Sequence, residues 1–253
     1  MFIFTCKNRF EDMMCCIYTA WEKAVYTGHE QVRLLVKPIG QETLFDEYIH
    51  VDYEESRYHS VISTIAEKLS NHILFQIHYV SLSYEEDTLD AIYRFLVKAF
   101  SVGPSILQQL ADPTVMRFFE LRRAVGNEAH YFREFARFTS LDGNVYVCHL
   151  EPKSNVIEIV GQHFADRMPS EHFIIVDDNR HFAVIHPKDE DNYLKQLSPD
   201  EMKVLSKTEL YEDEFTELWR TFVKTIAIKE RENPSCQRNL MPLWTRKHAT
   251  EFL

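Results

Sequence analysis

The long helix predicted at Pro113–Phe138 carries a carboxylate where an apolar side chain is expected. Glu128 lies on the same helical face as Val125 and Phe132. A carboxylate in such a position needs a cation or hydrogen-bond donors, or it stays protonated. Glu128 is therefore a candidate acid or base, and the alternative is a structural ion pair with an arginine.

A second face of the same helix is basic. His130, Arg133 and Arg137 follow one another at positions i, i+3 and i+7, a spacing that places side chains on one side of a helix. Arginine offers a planar fork of donors that fits phosphate or carboxylate oxygens. We interpret Arg133 and Arg137 as candidate nucleic-acid ligands and His130 as a further candidate acid or base. Internal ion pairing explains the pattern equally well.

The helix predicted after Pro152 ends in another polar group, formed by His163, Asp166 and Arg167. A histidine beside an aspartate can serve as an oriented acid and base, and Arg167 could contact a phosphate. The simpler explanation is ordinary pairing on the helix surface, with a cation favoured at the helix C-terminus.

Residues 226–242 form a stretch that contains basic residues and is broken by proline, in an acidic chain. Residues 220–253 contain seven basic and three acidic residues, a net charge of +4, whereas the whole chain carries −11. This excess of acid argues against a general nucleic-acid coat, but one basic patch can steer an anionic ligand. Lys229, Arg231 and Arg238 are the candidate nucleic-acid ligands, and a solvated tail is the alternative. The helix before this segment is predicted to bury the following residues: Phe215, Leu218, Trp219, Phe222, Val223 and Ile226.

Several kinds of site lack their usual sequence patterns. The chain has six glycines and no glycine-rich nucleotide loop, and Gly-x-Ser-x-Gly, His-Glu-x-x-His and Cys-x-x-Cys do not occur. The chain has five cysteines, an odd number, and we expect them to be free thiols. We therefore predict no metal and no cofactor. A long apolar run and a signal peptide are also missing, so we expect a cytoplasmic protein without a membrane partner.

The periodicity of apolar residues predicts an α+β fold. Residues 53–138 show helical spacing, and from about 139 to 187 the spacing changes to that of strands. We predict a mainly helical section followed by a small antiparallel sheet with packed helices. Residues 1–227 are expected to form one domain and residues 228–253 a basic C-terminal segment.

Several short stretches together resemble a bacterial family described as probable DNA-metabolism proteins. The stretches are Phe10–Asp12, Glu128–Phe138, Glu151–Val156, His163–Arg167, Ile226–Pro234, Gln237–Arg238 and Met241–Pro242. Members of that family accompany a putative radical S-adenosylmethionine protein of DNA modification or repair. Some proteins of that family look like fusions with a uracil-DNA glycosylase-like domain. The resemblance implies a DNA context and no particular reaction.

Three functions follow as hypotheses. The first is an accessory protein of DNA repair or modification that binds DNA or a modified nucleotide and works with the radical S-adenosylmethionine partner. The second is an interaction module, in which the acidic surface of this chain binds the radical S-adenosylmethionine partner. The third is a glycosylase-like hydrolase of a nucleic-acid base or nucleotide, with acid/base candidates Glu128, His130, His163 and Asp166.

Overall fold

The computed structural model describes residues 1–37, 43–141, 143–210 and 214–252. They form two compact units, residues 1–125 and residues 126–253, and each is described here by itself. The prediction of one domain over residues 1–227 stays a prediction. No helix in these described ranges combines the length and apolarity that a bilayer span requires.

The first unit contains a three-stranded parallel sheet and a group of helices. The sheet has the order β2-β1-β3, and both neighbours run parallel to β1. The elements are β1 (Phe2–Cys6), α1 (Phe10–Thr27), β2 (Val32–Val36), β3 (Glu47–His50), α2 (Glu55–Lys68), α3 (Asn71–Ser81), α4 (Thr88–Val102) and the start of α5 (Pro113–Phe135). Residues 32–36 and 47–50 are therefore strands that flank β1 on its two sides.

Helix α4 shows how the sequence builds this core. Leu89, Ile92 and Leu96 recur at helical spacing and are almost wholly buried. Tyr93 is buried with them, and its hydroxyl lies 2.8 Å from Nδ1 of His29. A buried hydroxyl needs such a partner, and His29 supplies it to Tyr93.

The second unit contains a five-stranded sheet of order β4-β5-β6-β7-β8. Its elements are β4 (Thr139–Leu141), β5 (Val145–Leu150), α6 (Ile157–Arg167), β6 (His172–Asp177), β7 (Phe182–His186), β8 (Tyr193–Gln196), α7 (Pro199–Leu205), α8 (Glu214–Ile226) and α9 (Pro234–Leu240). The α+β class is confirmed, as is the helical section that precedes a sheet with packed helices.

The prediction of an antiparallel sheet is wrong at its centre. Strand β5 pairs with β6 in parallel, while the other three pairings are antiparallel. Helix α6 lies between β5 and β6 in the chain, and a connection of that length lets the second strand start from the same end as the first. The sequence also predicts no strand at Tyr193–Gln196, where β8 forms. All four of its residues are exposed, so no alternation of apolar residues marks them.

Helix α8 is amphipathic, but its apolar face is not buried in the described structure. Phe215 is 65% exposed, Leu218 is 62% exposed and Ile226 is 57% exposed. The prediction that this face lies in the core is therefore wrong. Amphipathic spacing states that one face of a helix is apolar and does not specify what covers that face.

Candidate functional site

The parallel pair of strands brings polar residues to one edge of the second sheet. Leu150 of β5 lies in register with Asp177 of β6, so the residues that follow, Glu151 and Asp178, leave the sheet side by side. Ligands of open sheets with parallel strands bind at this carboxyl edge. A pocket of about 320 Å³ lies there, which we call the strand-end pocket. Its polar lining includes His149, Glu151, Asp178, Thr208, Lys247 and His248.

The loop after β5 is fastened to its surroundings by backbone hydrogen bonds. Glu128 is 5% exposed and accepts hydrogen bonds from the N–H groups of Lys153 (2.5 Å) and Ser154 (3.1 Å). Arg180 donates from Nη1 to the carbonyl of Pro152 at 2.9 Å. These bonds hold the loop that begins with Glu151 in one conformation.

The turn after β6 is held as firmly. The Asp177 side chain is fully buried and accepts hydrogen bonds from the N–H groups of Asn179 and Arg180, both at 3.0 Å. Its second oxygen lies 3.0 Å from Nη1 of Arg180. Burial raises the pKa of Asp177, and the Arg180 guanidinium offsets part of that rise. Since Arg180 also binds the β5 loop, one guanidinium ties the two strand ends together.

His149 positions Asp178 within the pocket. Its Nδ1 lies 3.1 Å from both Asp178 oxygens. Its Nε2 lies 3.1 Å from the Leu205 carbonyl and 3.2 Å from Thr208 Oγ1. The Thr208 hydroxyl in turn donates to the Leu205 carbonyl, so these two oxygens occupy Nε2 as Asp178 occupies Nδ1. With both nitrogens engaged, His149 orients the carboxylate of Asp178 and has no ring nitrogen left for a substrate.

His248 faces two carboxylates. Its Nε2 lies 3.6 Å from Oε1 of Glu151 and 3.9 Å from Oδ2 of Asp178. The three ligand atoms lie within 4.8 Å of one another, and their side chains are only 18% to 27% exposed. Lys247 brings its ammonium group into contact with Glu151. Around the imidazole of His248, the pocket thus places two carboxylates and a competing cation.

Contacts near the C-terminus hold His248 in place. Trp244 packs edge-on against Phe132, with ring centroids 5.8 Å apart. Glu251 receives two hydrogen bonds from the Arg137 guanidinium and one from Trp219 Nε1. Burial alone would raise the pKa of Glu251, but these donors bring it below its ordinary value. The residues on both sides of His248 are therefore anchored.

The candidate catalytic residues from the sequence lie outside this lining. Glu128 has its carboxylate occupied by backbone N–H groups, as described above. His130 is exposed and lies 3.5 Å from Glu134 on the same helix. Asp166 is exposed and accepts a hydrogen bond from Gln162. Burial lowers the pKa of His163, and the charges of Arg133 and Arg167 lower it further.

Two of the candidate nucleic-acid ligands are held by other residues of the protein, and the other four are exposed. Arg137 is held by Glu251, and Arg133 is partly buried, with Nη2 3.5 Å from the Ile159 carbonyl. Arg167 is exposed at the end of α6, as are Lys229, Arg231 and Arg238 near the C-terminus.

All residues from 224, near the end of helix α8, to 240 are exposed. We call this stretch the basic segment. Its cations are Lys224, Lys229, Arg231 and Arg238. In the ranges that the structure describes, none of the four forms an ion pair with a carboxylate. Asn233 caps the short helix α9 by accepting a hydrogen bond from the Cys236 N–H at 3.0 Å. The segment thus offers exposed cations to a ligand from outside.

Sequence reasoning missed most of the strand-end pocket. Glu151 and Asp178 each follow the last residue of a buried strand, which is the one signal that could have found them. Under antiparallel pairing the carboxyl ends of two strands lie at opposite edges, so the predicted topology separated these residues. His248 is 70 residues beyond Asp178, and no local spacing connects the two.

Together, the fold and the pocket define an α+β protein with a polar site at the carboxyl ends of a parallel strand pair. Residues 86–251 match the model of a domain family of unknown function, DUF4130. Because this match covers more than half of the chain, the protein belongs to that family. The matched range includes the whole lining of the strand-end pocket and the basic segment. Neither the curated proteins nor the solved structures gave a match.

Proposed function

We propose that this protein is a cytoplasmic accessory factor of DNA repair or modification that binds DNA through the basic segment. The observation that carries the proposal is the exposure of Lys224, Lys229, Arg231 and Arg238, which have no carboxylate partner among the described residues. The resemblance to DNA-metabolism proteins supports the DNA context and suggests a radical S-adenosylmethionine enzyme as partner. Membership of the DUF4130 family is compatible with that resemblance.

The charge distribution favours contact at one place. The chain carries −11 overall, and residues 220–253 carry +4, so most of the surface repels a polyanion. A phosphate backbone would bind where repulsion is weakest and unpaired cations are present. Four phosphate contacts predict that the logarithm of the association constant falls with the logarithm of salt concentration at a slope of roughly −3 to −4.

Fluorescence anisotropy with labelled single- and double-stranded DNA, measured across a salt series, tests this proposal. The double variant Arg231→Ala/Arg238→Ala should weaken binding and reduce the magnitude of the salt slope by about 2, or about 1 for each lost phosphate contact. The matched control is Lys203→Ala/Lys207→Ala, which removes two exposed cations of the same unit outside the basic segment. This control should retain most of the affinity.

Two results would contradict the proposal. One is no binding to either form of DNA at low salt, which would direct attention to the interaction-module hypothesis and to a pull-down with the partner enzyme. The other is an equal loss of affinity in both double variants, because a diffuse charge effect would then replace a defined contact surface.

The strand-end pocket favours a second candidate function, hydrolysis of a nucleotide or a nucleic-acid base. Its carboxylates and imidazole are groups that can move protons or activate water. The pocket also lies at the edge where parallel strands present ligand sites. Incubation of the protein with a panel of nucleotides and damaged oligonucleotides, followed by chromatography, tests this function. Product formation that survives Glu151→Gln would count against the pocket.

A further inference from the structure

We propose that Glu151, Asp178 and His248 bind a divalent metal ion of mixed nitrogen and oxygen preference, such as Mn²⁺ or Zn²⁺. Imidazole suits zinc and iron, whereas carboxylates suit manganese and magnesium. The set of one imidazole and two carboxylates therefore selects ions that accept both ligand types. This site is independent of the DNA-binding proposal, since it shares no residue with the basic segment.

Two of the three separations between the ligand atoms fit a shared ion. Metal–ligand bonds of about 2.0–2.2 Å place neighbouring ligands roughly 3–4 Å apart around one centre. His248 Nε2 lies 3.6 Å from Glu151 Oε1 and 3.9 Å from Asp178 Oδ2. Both separations exceed ordinary hydrogen-bond lengths. Small side-chain adjustments would complete the coordination.

The backbone around two of the ligands is already ordered. Glu151 and Asp178 leave adjacent parallel strands, and the Asp178 N–H donates to the Leu150 carbonyl at 3.0 Å. His149 fixes the Asp178 carboxylate from the side, as outer hydrogen-bond partners do for metal-binding groups. A site held in this way pays little ordering cost when the ion arrives.

Lys247 provides a cation that competes for the site. Its ammonium group contacts the same Glu151 oxygen that lies 3.6 Å from His248. A metal ion that binds Glu151 must displace this ammonium or move it to another oxygen. Lys247→Met should therefore increase metal affinity, although the substitution removes a charge pair. A purely structural ion-pair cluster would not gain metal affinity from that change.

The test is calorimetric titration of the EDTA-treated full-length protein with Mn²⁺ and, separately, with Zn²⁺. Manganese binding is also followed by the loss of the free Mn²⁺ electron paramagnetic resonance signal. We expect one saturable site. Glu151→Gln and His248→Gln should each weaken it by about tenfold or more, and Lys247→Met should strengthen it.

A control pair elsewhere separates a metal site from a histidine–carboxylate contact. His130 and Glu134 lie 3.5 Å apart and are exposed, so His130→Gln/Glu134→Gln removes the same residue types without touching the pocket. This variant should bind metal as the parent protein does. Circular dichroism establishes that each variant is folded before titration.

The proposal is overturned if neither the parent protein nor Lys247→Met binds either ion at millimolar concentration. It is also overturned if Glu151→Gln and His248→Gln bind as tightly as the parent. DNA binding is measured in separate samples. Its loss with metal binding retained, or the reverse, tells which of the two proposals has failed.

Discussion

The strand-end pocket and the basic segment use charge in opposite ways. In the pocket, each carboxylate has an assigned neighbour: His149 beside Asp178, Lys247 beside Glu151. In the basic segment the cations are exposed and make no ion pair in the described residues. Charges that the protein positions itself suit a small, geometrically defined ligand. Solvent-exposed cations suit a polyanion, because its phosphates bind cations without requiring a fixed arrangement of them.

Removal of Asp177 should give the largest effect on stability. Asp177→Ala leaves the Arg180 guanidinium without its buried partner and releases the turn before Asp178. We expect the free energy of unfolding to fall by about 3–5 kcal/mol, measured by urea denaturation. The control is Asp191→Ala, which removes an exposed carboxylate of the same unit. Similar losses in both variants would show that the burial of Asp177 is not what matters.

Glu128→Ala decides between a structural and a catalytic carboxylate. The variant removes the acceptor of the Lys153 and Ser154 N–H groups, of which Ser154 is buried, so we expect a loss of about 2–3 kcal/mol in the free energy of unfolding. Glu134→Ala, on the exposed part of the same helix, should change stability far less. A fully stable Glu128→Ala protein would return Glu128 to the list of acid/base candidates.

Acidification should release the residues that hold His248. The pKa of Glu251 is lowered in the folded protein, so its contribution to stability is present above its unfolded pKa of about 4.3 and is lost as pH falls through the folded value. Glu251→Gln should cost about 1 kcal/mol at neutral pH and flatten the fall in stability that acidification below the unfolded pKa otherwise causes. Thermal melts at several pH values measure both effects. An unchanged profile would contradict the assignment.

Changes in the basic segment should affect stability least. Arg231→Ala/Arg238→Ala is expected to alter the free energy of unfolding by less than about 0.5 kcal/mol, while DNA affinity falls. The urea midpoint and the anisotropy titration measure the two quantities on one preparation. A large loss of stability would mean that these arginines belong with the structurally held charges, and the contrast between the two regions would disappear.

Local sequence patterns were sufficient for most elements and for part of the site. Helix α4 follows from the helical spacing of its apolar residues, and the sequence marks Glu128 as a carboxylate that needs donors. The donors themselves, the N–H groups of Lys153 and Ser154, could not be predicted. They come from a loop 25 residues away whose position depends on the sheet.

By itself, the sequence determined the α+β class, the positions of most helices and the existence of an exposed basic segment. Each of these depends on neighbouring residues, which share one helix face or one strand. Only the tertiary structure decided that β5 and β6 are parallel, that the apolar face of α8 is exposed and that Glu151, Asp178 and His248 converge. The direction of a strand, the burial of a helix face and the convergence of distant residues all depend on contacts between segments far apart in the chain. Periodicity within one segment carries no information about such contacts.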